Sequence, residues 1–281
     1  MTHGRKRVGY IFAAGARYRQ CMTGILDHTM IRVTDLEASL DWYGTNLEYE
    51  EKDRYGGDGF TIVYMGPADM HEDGAMLELT HNEGEDELEL GDAWGHIAVR
   101  VEDVHDAYYE LMDKGVEDYR RPEDNPGYAF VKDPDGHEVE IVGRDYGARW
   151  SLDHTMMRVE DADAALGYWA RKFEYDEASR WEADTFANYF LEPADAPREA
   201  MALELTYNYD GRTYTMGDAW GHVCVRIDDL HDDWEQLQVR EAPDYRDPAS
   251  CDDMYAFTKD QDGHEIELLT RDPGAESLFP F

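Results

Sequence analysis

Leu26–Val33 reads LDHTMIRV, and Leu152–Val159 reads LDHTMMRV, with seven of eight positions identical. Three further pairs follow in the same order: LELT at 77–80 and 203–206, LGDAWGH at 90–96 against MGDAWGH at 216–222, and DGHEVEIV at 135–142 against DGHEIELL at 262–269. The first three pairs share an offset of 126 residues and the last has 127, so one residue is inserted between His222 and Glu267. A repeat of this length is an ordinary domain size, which makes the chain a tandem duplication. The boundaries read as 1–21 basic tail, 22–146 first repeat, 147–271 second repeat and 272–281 terminal tail.

Each repeat divides again. Strand-like His28–Val33 precedes Asp35–Leu47, where Leu36, Leu40 and Tyr43 fall at helical spacing, and strand-like Gly59–Met65 and Ala75–Thr80 follow. His96–Val101 restarts the pattern with a helix over Val104–Leu111 and strands at Tyr128–Val131 and Glu138–Val142. The fold class this implies is α+β, with four βαβββ modules forming two tandem repeats on cupped mixed sheets. The turn Asp133-Pro134-Asp135-Gly136 lies between strands and is a hairpin turn; it lacks the third ligand and distant Glu of a calcium loop.

The metal-capable side chains that recur on strands are His28/His154, Glu78/Glu204, His96/His222 and Glu140/Glu267, with spacings 50, 18, 44 and 50, 18, 45. One strand histidine is weak evidence; four alternating candidates in two copies form a ligand set. Residues i and i+4 on a strand share a face, about 13 Å apart. Arg32 therefore lies on the face of His28, Asn82 on that of Glu78, and Arg158 and Asn208 repeat the pattern. First and last strands of such a module run parallel, which builds a slot with a metal at one end and a carboxylate-grasping Arg/Asn pair at the other. His137 and His264 precede their Glu by three and face the other way.

These motifs resemble glyoxalase I (lactoylglutathione lyase) of the vicinal oxygen chelate superfamily, over residues 26–142 and 152–269. The resemblance implies that all eight His and Glu residues bind catalytic metal. A first-position His resembles the nickel/cobalt class, with Zn²⁺ or Mn²⁺ as other candidates. It also implies sites built between repeats: His28 and Glu78 with His222 and Glu267, and His154 and Glu204 with His96 and Glu140. Assembly of each site within one repeat is the alternative. The implied substrate is the hemithioacetal of methylglyoxal and a small thiol. Glu140 and Glu267 are the implied bases, with Glu78 and Glu204 assisting, and the implied state is a monomer acting as a pseudo-dimer. Relatives that use glutathione often carry a cation four residues before the second His, where this chain has Asp92 and Asp218, and the loops before Tyr128 and Tyr255 offer no Lys. That favours a thiol lacking glycine, such as γ-glutamylcysteine. Rival readings are an extradiol dioxygenase, which needs two His and one carboxylate, an acyl-CoA epimerase, and a metal-free binding protein.

Composition narrows the remaining classes. The chain carries 64 Asp+Glu against 26 Lys+Arg, net −38, with 42% hydrophobic residues. Polyanion binding and anionic membrane surfaces are excluded, and no apolar run is long enough to span a bilayer. Only six of the cations are Lys. Acid-rich, lysine-poor composition resembles cytosolic proteins of salt-in halophilic archaea. Three scattered cysteines, Cys21, Cys224 and Cys251, form no metal or disulfide framework and suit a reducing cytoplasm. The first 21 residues hold five cations and no acid, but their apolar stretch is too short for a signal peptide; they read as a disordered tail or as a start placed too early, with Met22 the natural first residue.

Overall fold

A computed structural model describes residues 24–125 and 127–271, so the expected tails at 1–21 and 272–281 lie outside the described residues. The first repeat contains β1 (Leu26–Arg32), α1 (Leu36–Leu47), β2 (Tyr49–Gly57), β3 (Phe60–Pro67) and β4 (Met76–Asn82), then β5 (Trp94–Val101), α2 (Val104–Asp113), β6 (Tyr128–Lys132) and β7 (Glu138–Gly143). The second contains β8 (Leu152–Val159), α3 (Ala162–Lys172), β9 (Tyr175–Glu182), β10 (Phe186–Pro193) and β11 (Ala202–Asn208), then β12 (Trp220–Arg226), α4 (Leu230–Val239), β13 (Tyr255–Lys259) and β14 (Glu265–Leu269). Each helix begins on an aspartate, Asp35, Asp103, Asp161 or Asp229, whose carboxylate accepts from the backbone N–H three residues on. In the second and fourth modules the strand after the helix shrinks to a single bridge, Arg120 with Phe130 and Arg246 with Phe257.

The strand order is β13-β14-β12-β1-β4-β3-β2 in one sheet and β6-β7-β5-β8-β11-β10-β9 in the other. Each sheet is mixed: β1 is antiparallel to β12 and parallel to β4, and β5 is antiparallel to β8 and parallel to β7. Each sheet thus takes one module from each repeat. The parallel pairing of β1 with β4, expected from the module pattern, sets Met30 beside Glu78 and Arg32 beside Thr80. The turn at 133–136 joins antiparallel β6 and β7, and Asp133 accepts from the backbone N–H of Asp135 and His137, as a hairpin requires.

The GDAWGH motif explains how the sheets meet. Gly91 and Gly217 have φ of +65° and +68°, and a Cβ at Gly217 would lie 2.1 Å from the carbonyl oxygen of Glu89. The two loops therefore pack backbone against backbone across the repeats. Asp92 accepts from the Thr215 N–H and Asp218 from the Glu89 N–H, each at 2.6 Å. Trp94 and Trp220 stack at 6.3 Å with planes 10° apart, and their indole N–H groups donate to Thr155 and Thr29. Among the described residues no helix is long and apolar enough to cross a membrane.

Candidate metal centres

Sheet order decides which side chains meet. β1 and β4 bring His28 and Glu78, β12 and β14 bring His222 and Glu267, and the four donor atoms lie within 4.8 Å of one another. His96, Glu140, His154 and Glu204 form the second cluster in the same way. All eight are buried. In the first cluster His28 Nε2 lies 3.0 Å from both Glu78 Oε2 and Glu267 Oε2 and 3.2 Å from His222 Nε2. In the second, His154 Nε2 lies 3.0 Å from Glu140 Oε2, 2.9 Å from Glu204 Oε2 and 3.2 Å from His96 Nε2. Each cluster therefore draws two candidate donors from each repeat, in the between-repeat combination.

The donor chemistry fits a divalent cation. Donors bound to one ion at about 2.1 Å stand about 3.0–3.4 Å apart, which matches these separations. Burial by itself would raise the carboxyl pKa values, yet hydrogen bonds and charge from His222 and His28 hold Glu78 below its usual range, and His154 and His96 do the same for Glu140 and Glu204. Burial opposes charge on the imidazoles too, but their carboxylate neighbours raise His96, His154 and His222. Four donors lie within 4.8 Å of one another in each cluster, and one dication held there would satisfy all of them together. Two imidazoles and two carboxylates suit a six-coordinate ion with two positions left for substrate oxygens.

Arg158 and Asn208 line a cavity of about 500 Å³ together with all four donors of the second cluster. At the first cluster the space is narrower. Glu78, His222 and Glu267 open on about 270 Å³ that Arg32 also lines, and Arg32 and Asn82 share a neighbouring cavity of about 460 Å³. Arg32 and Arg158 each donate from Nη1 to a carbonyl of the opposite repeat, Asp218 at 2.6 Å and Asp92 at 2.9 Å, which fixes both guanidiniums at the cavity wall. Asn82 donates to Glu85 and Asn208 to the Tyr214 hydroxyl, both at 2.7 Å.

The structure adds residues that the sequence pattern did not single out. Arg120 and Arg246 enter the cavities, stacked 4.7 Å over Phe130 and 5.0 Å over Phe257, whose edges meet His96 and His222. The Asp92 and Asp218 carboxylates are engaged on backbone amides, while Arg120, which also pairs with Glu138 at 3.1 Å, and Arg246 bring positive charge to the cavities from outside the positions singled out in the sequence. Asp27 and Asp153 also stand out, accepting from His28 Nδ1 at 3.1 Å and His154 Nδ1 at 2.9 Å. Their signal in the sequence was the repeated Asp-His pair, which strand alternation assigns to opposite faces. His137 and His264 face away from the clusters, as expected, and pair with Asp133 and Asp260.

Residues 25–141 and 151–268 match the sequence model of the Glyoxalase/Bleomycin resistance protein/Dioxygenase superfamily. A probable lactoylglutathione lyase of Synechocystis sp. is 42% identical over 123 residues, covering 41% of this chain and 92% of the relative. The lactoylglutathione lyase of Schizosaccharomyces pombe is 26% identical over 289 residues, covering 87% of this chain and 95% of the relative. The crystal structure of glyoxalase I from Zea mays superposes with a TM-score of 0.76 at 23% identity, covering 89% of this chain and 92% of that one, which is a likeness of fold.

Proposed function

The chain belongs to the Glyoxalase/Bleomycin resistance protein/Dioxygenase superfamily, and we propose that within it the protein is a metal-dependent glyoxalase I. It isomerises the hemithioacetal of methylglyoxal and a small thiol to a lactoyl thioester, a carbon-sulfur lyase in the reverse sense. The observation that carries this reading is the pair of clusters with two histidines and two glutamates each. A dioxygenase site needs only one carboxylate, and a metal-free binder needs none. The relatives described above that share its sequence carry the name lactoylglutathione lyase.

A bound divalent ion, Ni²⁺ or Co²⁺ before Zn²⁺ or Mn²⁺, supplies Lewis-acid polarisation of two vicinal substrate oxygens. Glu140 and Glu267 take the proton from C1 and return it to C2, while the hydroxyl hydrogen passes from the C1 oxygen to the C2 oxygen, so nothing is gained or lost. Burial opposes their charge, but the paired imidazoles, His154 and His96 at Glu140 and His222 and His28 at Glu267, lower both carboxyl pKa values and favour the ionised form. Glu78 and Glu204 assist or serve the opposite stereoisomer. Arg32 with Asn82, and Arg158 with Asn208, hold the γ-glutamyl end of the thiol. Arg120 and Arg246 offer a seat for a second carboxylate, so the two candidate thiols, glutathione and γ-glutamylcysteine, are separated by that seat. The two repeats, bounded at 22–146 and 147–271, act as a pseudo-dimer within one cytoplasmic monomer, and the acid-rich surface is an adaptation to the concentrated salt of a halophilic archaeon.

The test combines metal analysis of protein purified in high KCl with thioester formation from methylglyoxal and each thiol. Metal-bound protein that forms thioester is expected, and a protein free of metal and inert with both thiols overturns the reading. Glu140→Gln with Glu267→Gln removes turnover while leaving the fold; substantial residual activity refutes the base assignment.

A further inference from the structure

We propose that Asp27 and Asp153 are positioning residues that set the tautomer and aim of the metal-facing histidines His28 and His154. The inference rests on the metal-binding reading of the two clusters. Its starting point is a backbone irregularity found in both copies. Where β1 pairs with β12, Leu26 faces Val225 and His28 faces Cys224, which leaves Asp27 unopposed. Where β8 pairs with β5, Leu152 faces Val99 and His154 faces Ala98, which leaves Asp153 unopposed. An extra residue of this kind is a β-bulge, and it re-aims side chains against strict alternation. Here it turns each aspartate onto the Nδ1 of the next residue, at 3.1 Å and 2.9 Å.

Both aspartates are buried with arginines behind them, Asp153 held by hydrogen bonds and Asp27 by charge. Asp153 accepts from Arg100 Nε at 2.9 Å and from Arg144 Nε and Nη2 at 2.9 and 2.8 Å. Asp27 lies 3.1 Å from Arg271 Nη1 and 4.0 Å from Arg226 Nη1. Arg100 is itself anchored on the carbonyls of Glu199 and Ala200, so the brace belongs to the scaffold. A carboxylate so held accepts a proton-bearing Nδ1. In the neutral ring this places the one proton on Nδ1 and leaves the Nε2 lone pair facing the two glutamates of each cluster, where a cation would sit. The braces keep the aspartate from rotating, and the aspartate keeps the ring from rotating.

An asparagine at either position inverts this logic. Its single carbonyl oxygen serves the arginines, and its NH₂ faces the imidazole, which shifts the proton onto Nε2 and blocks that ligand. The experiment titrates metal-free protein with Co²⁺ against a chromogenic chelator, reading the visible absorption of bound Co²⁺ and the melting temperature of the metal-free form. The parent binds two Co²⁺ per chain. Asp153→Asn and Asp27→Asn each weaken one of the two by about 10–100-fold, and the double variant weakens both. Arg144→Gln removes one of the two braces but leaves Arg100 and His154 on Asp153, so it weakens Co²⁺ binding at that site clearly less than Asp153→Asn does, which separates the carboxylate's role from mere charge pairing. Asparagine variants that bind Co²⁺ as tightly as the parent overturn the proposal, as does an Arg144→Gln variant that reproduces their full loss. A parent that binds no Co²⁺ refutes the metal reading itself, which is a distinguishable result.

Discussion

Paired histidine deletions separate the two ways of assembling the sites. His28 and His222 share one cluster although they come from different repeats, while His28 and His96 share a repeat but lie in different clusters. If a four-ligand site holds its ion with about 10–16 kcal/mol, each ligand contributes about 2.5–4 kcal/mol. Losing one ligand then weakens a site by about 10²–10³, and losing two by about 10⁴–10⁶. His28→Ala with His222→Ala empties one site and leaves the other untouched, so one ion per chain survives dialysis. His28→Ala with His96→Ala strikes both sites once each and leaves none. The assay is metal content by elemental analysis at a fixed low free-metal concentration, with a melting curve to establish that each variant folds. An ion retained by the His28/His96 pair and lost by the His28/His222 pair would refute the between-repeat assembly.

Three further outcomes follow from the packing and the charge. Gly217→Ala places a Cβ 2.1 Å from the Glu89 carbonyl oxygen and 2.6 Å from the Gly91 nitrogen, both backbone atoms, at a φ of +68°. The φ alone costs about 1–2 kcal/mol, and with the loop displacement the melting temperature falls by about 5–15 °C; a fall under about 2 °C contradicts the close approach. His137 and His264 are buried, and although burial opposes their charge, Asp133 and Asp260 raise both pKa values. A raised folded pKa stabilises fully below the unfolded value of about 6.5 and is lost as pH rises through the folded value, so His137→Gln with His264→Gln flattens the fall in melting temperature above about pH 6.5. With a net charge of −38, the melting temperature rises as KCl is raised from about 0.1 M, where like charges repel across ~10 Å, to above 1 M, where that range falls to about 3 Å; a flat profile removes the halophilic reading.

The sequence carried the frame of the molecule further than its edges. Helix starts were legible because Asp35 opens an apolar period that buries Leu36, Tyr43 and Leu47. The eight clustered His and Glu residues were legible as candidates because they recur at spacings that differ by at most one, whereas their division between repeats came from family resemblance and not from spacing. β2 was not legible. Its sequence, YEEKDRYGG, pairs only with β3 at the sheet edge and buries little beyond Tyr49, so it shows no alternation. β9 has the same character, with Tyr175 its buried residue. Asp27 and Asp153 were hidden by a different cause: a bulge cancels the period on which a facing argument depends. Arg120 and Arg246 were hidden because stacking on Phe130 and Phe257 places them, and no linear pattern encodes that contact.

Covalent duplication has a consequence that a homodimer of single repeats cannot share. In a homodimer every substitution appears in both sites; in this chain the two walls are encoded separately. The rings edging His28 and His154 are Tyr64 and Phe190, and the strand partners of these histidines are Cys224 and Ala98. The inserted residue also falls on one side only. Arg120 and Arg246 differ by 126 positions and Tyr128 and Tyr255 by 127, so the insertion lies in 247–254, where a 3₁₀ turn forms over Pro248–Cys251 and Asp252 and Met254 line the smaller cavity. The eight His and Glu donors and the bulges are by contrast repeated, with separations around His28 and His154 that differ by about 0.1 Å, whereas the arginines behind Asp27 and Asp153 are placed differently. The donor sets are thereby held alike while access and wall polarity differ. A difference in turnover between the two sites then has its physical source in Tyr64, Cys224 and the 247–254 loop, and exchanging these for Phe, Ala and the shorter loop of the first repeat should bring the two sites together.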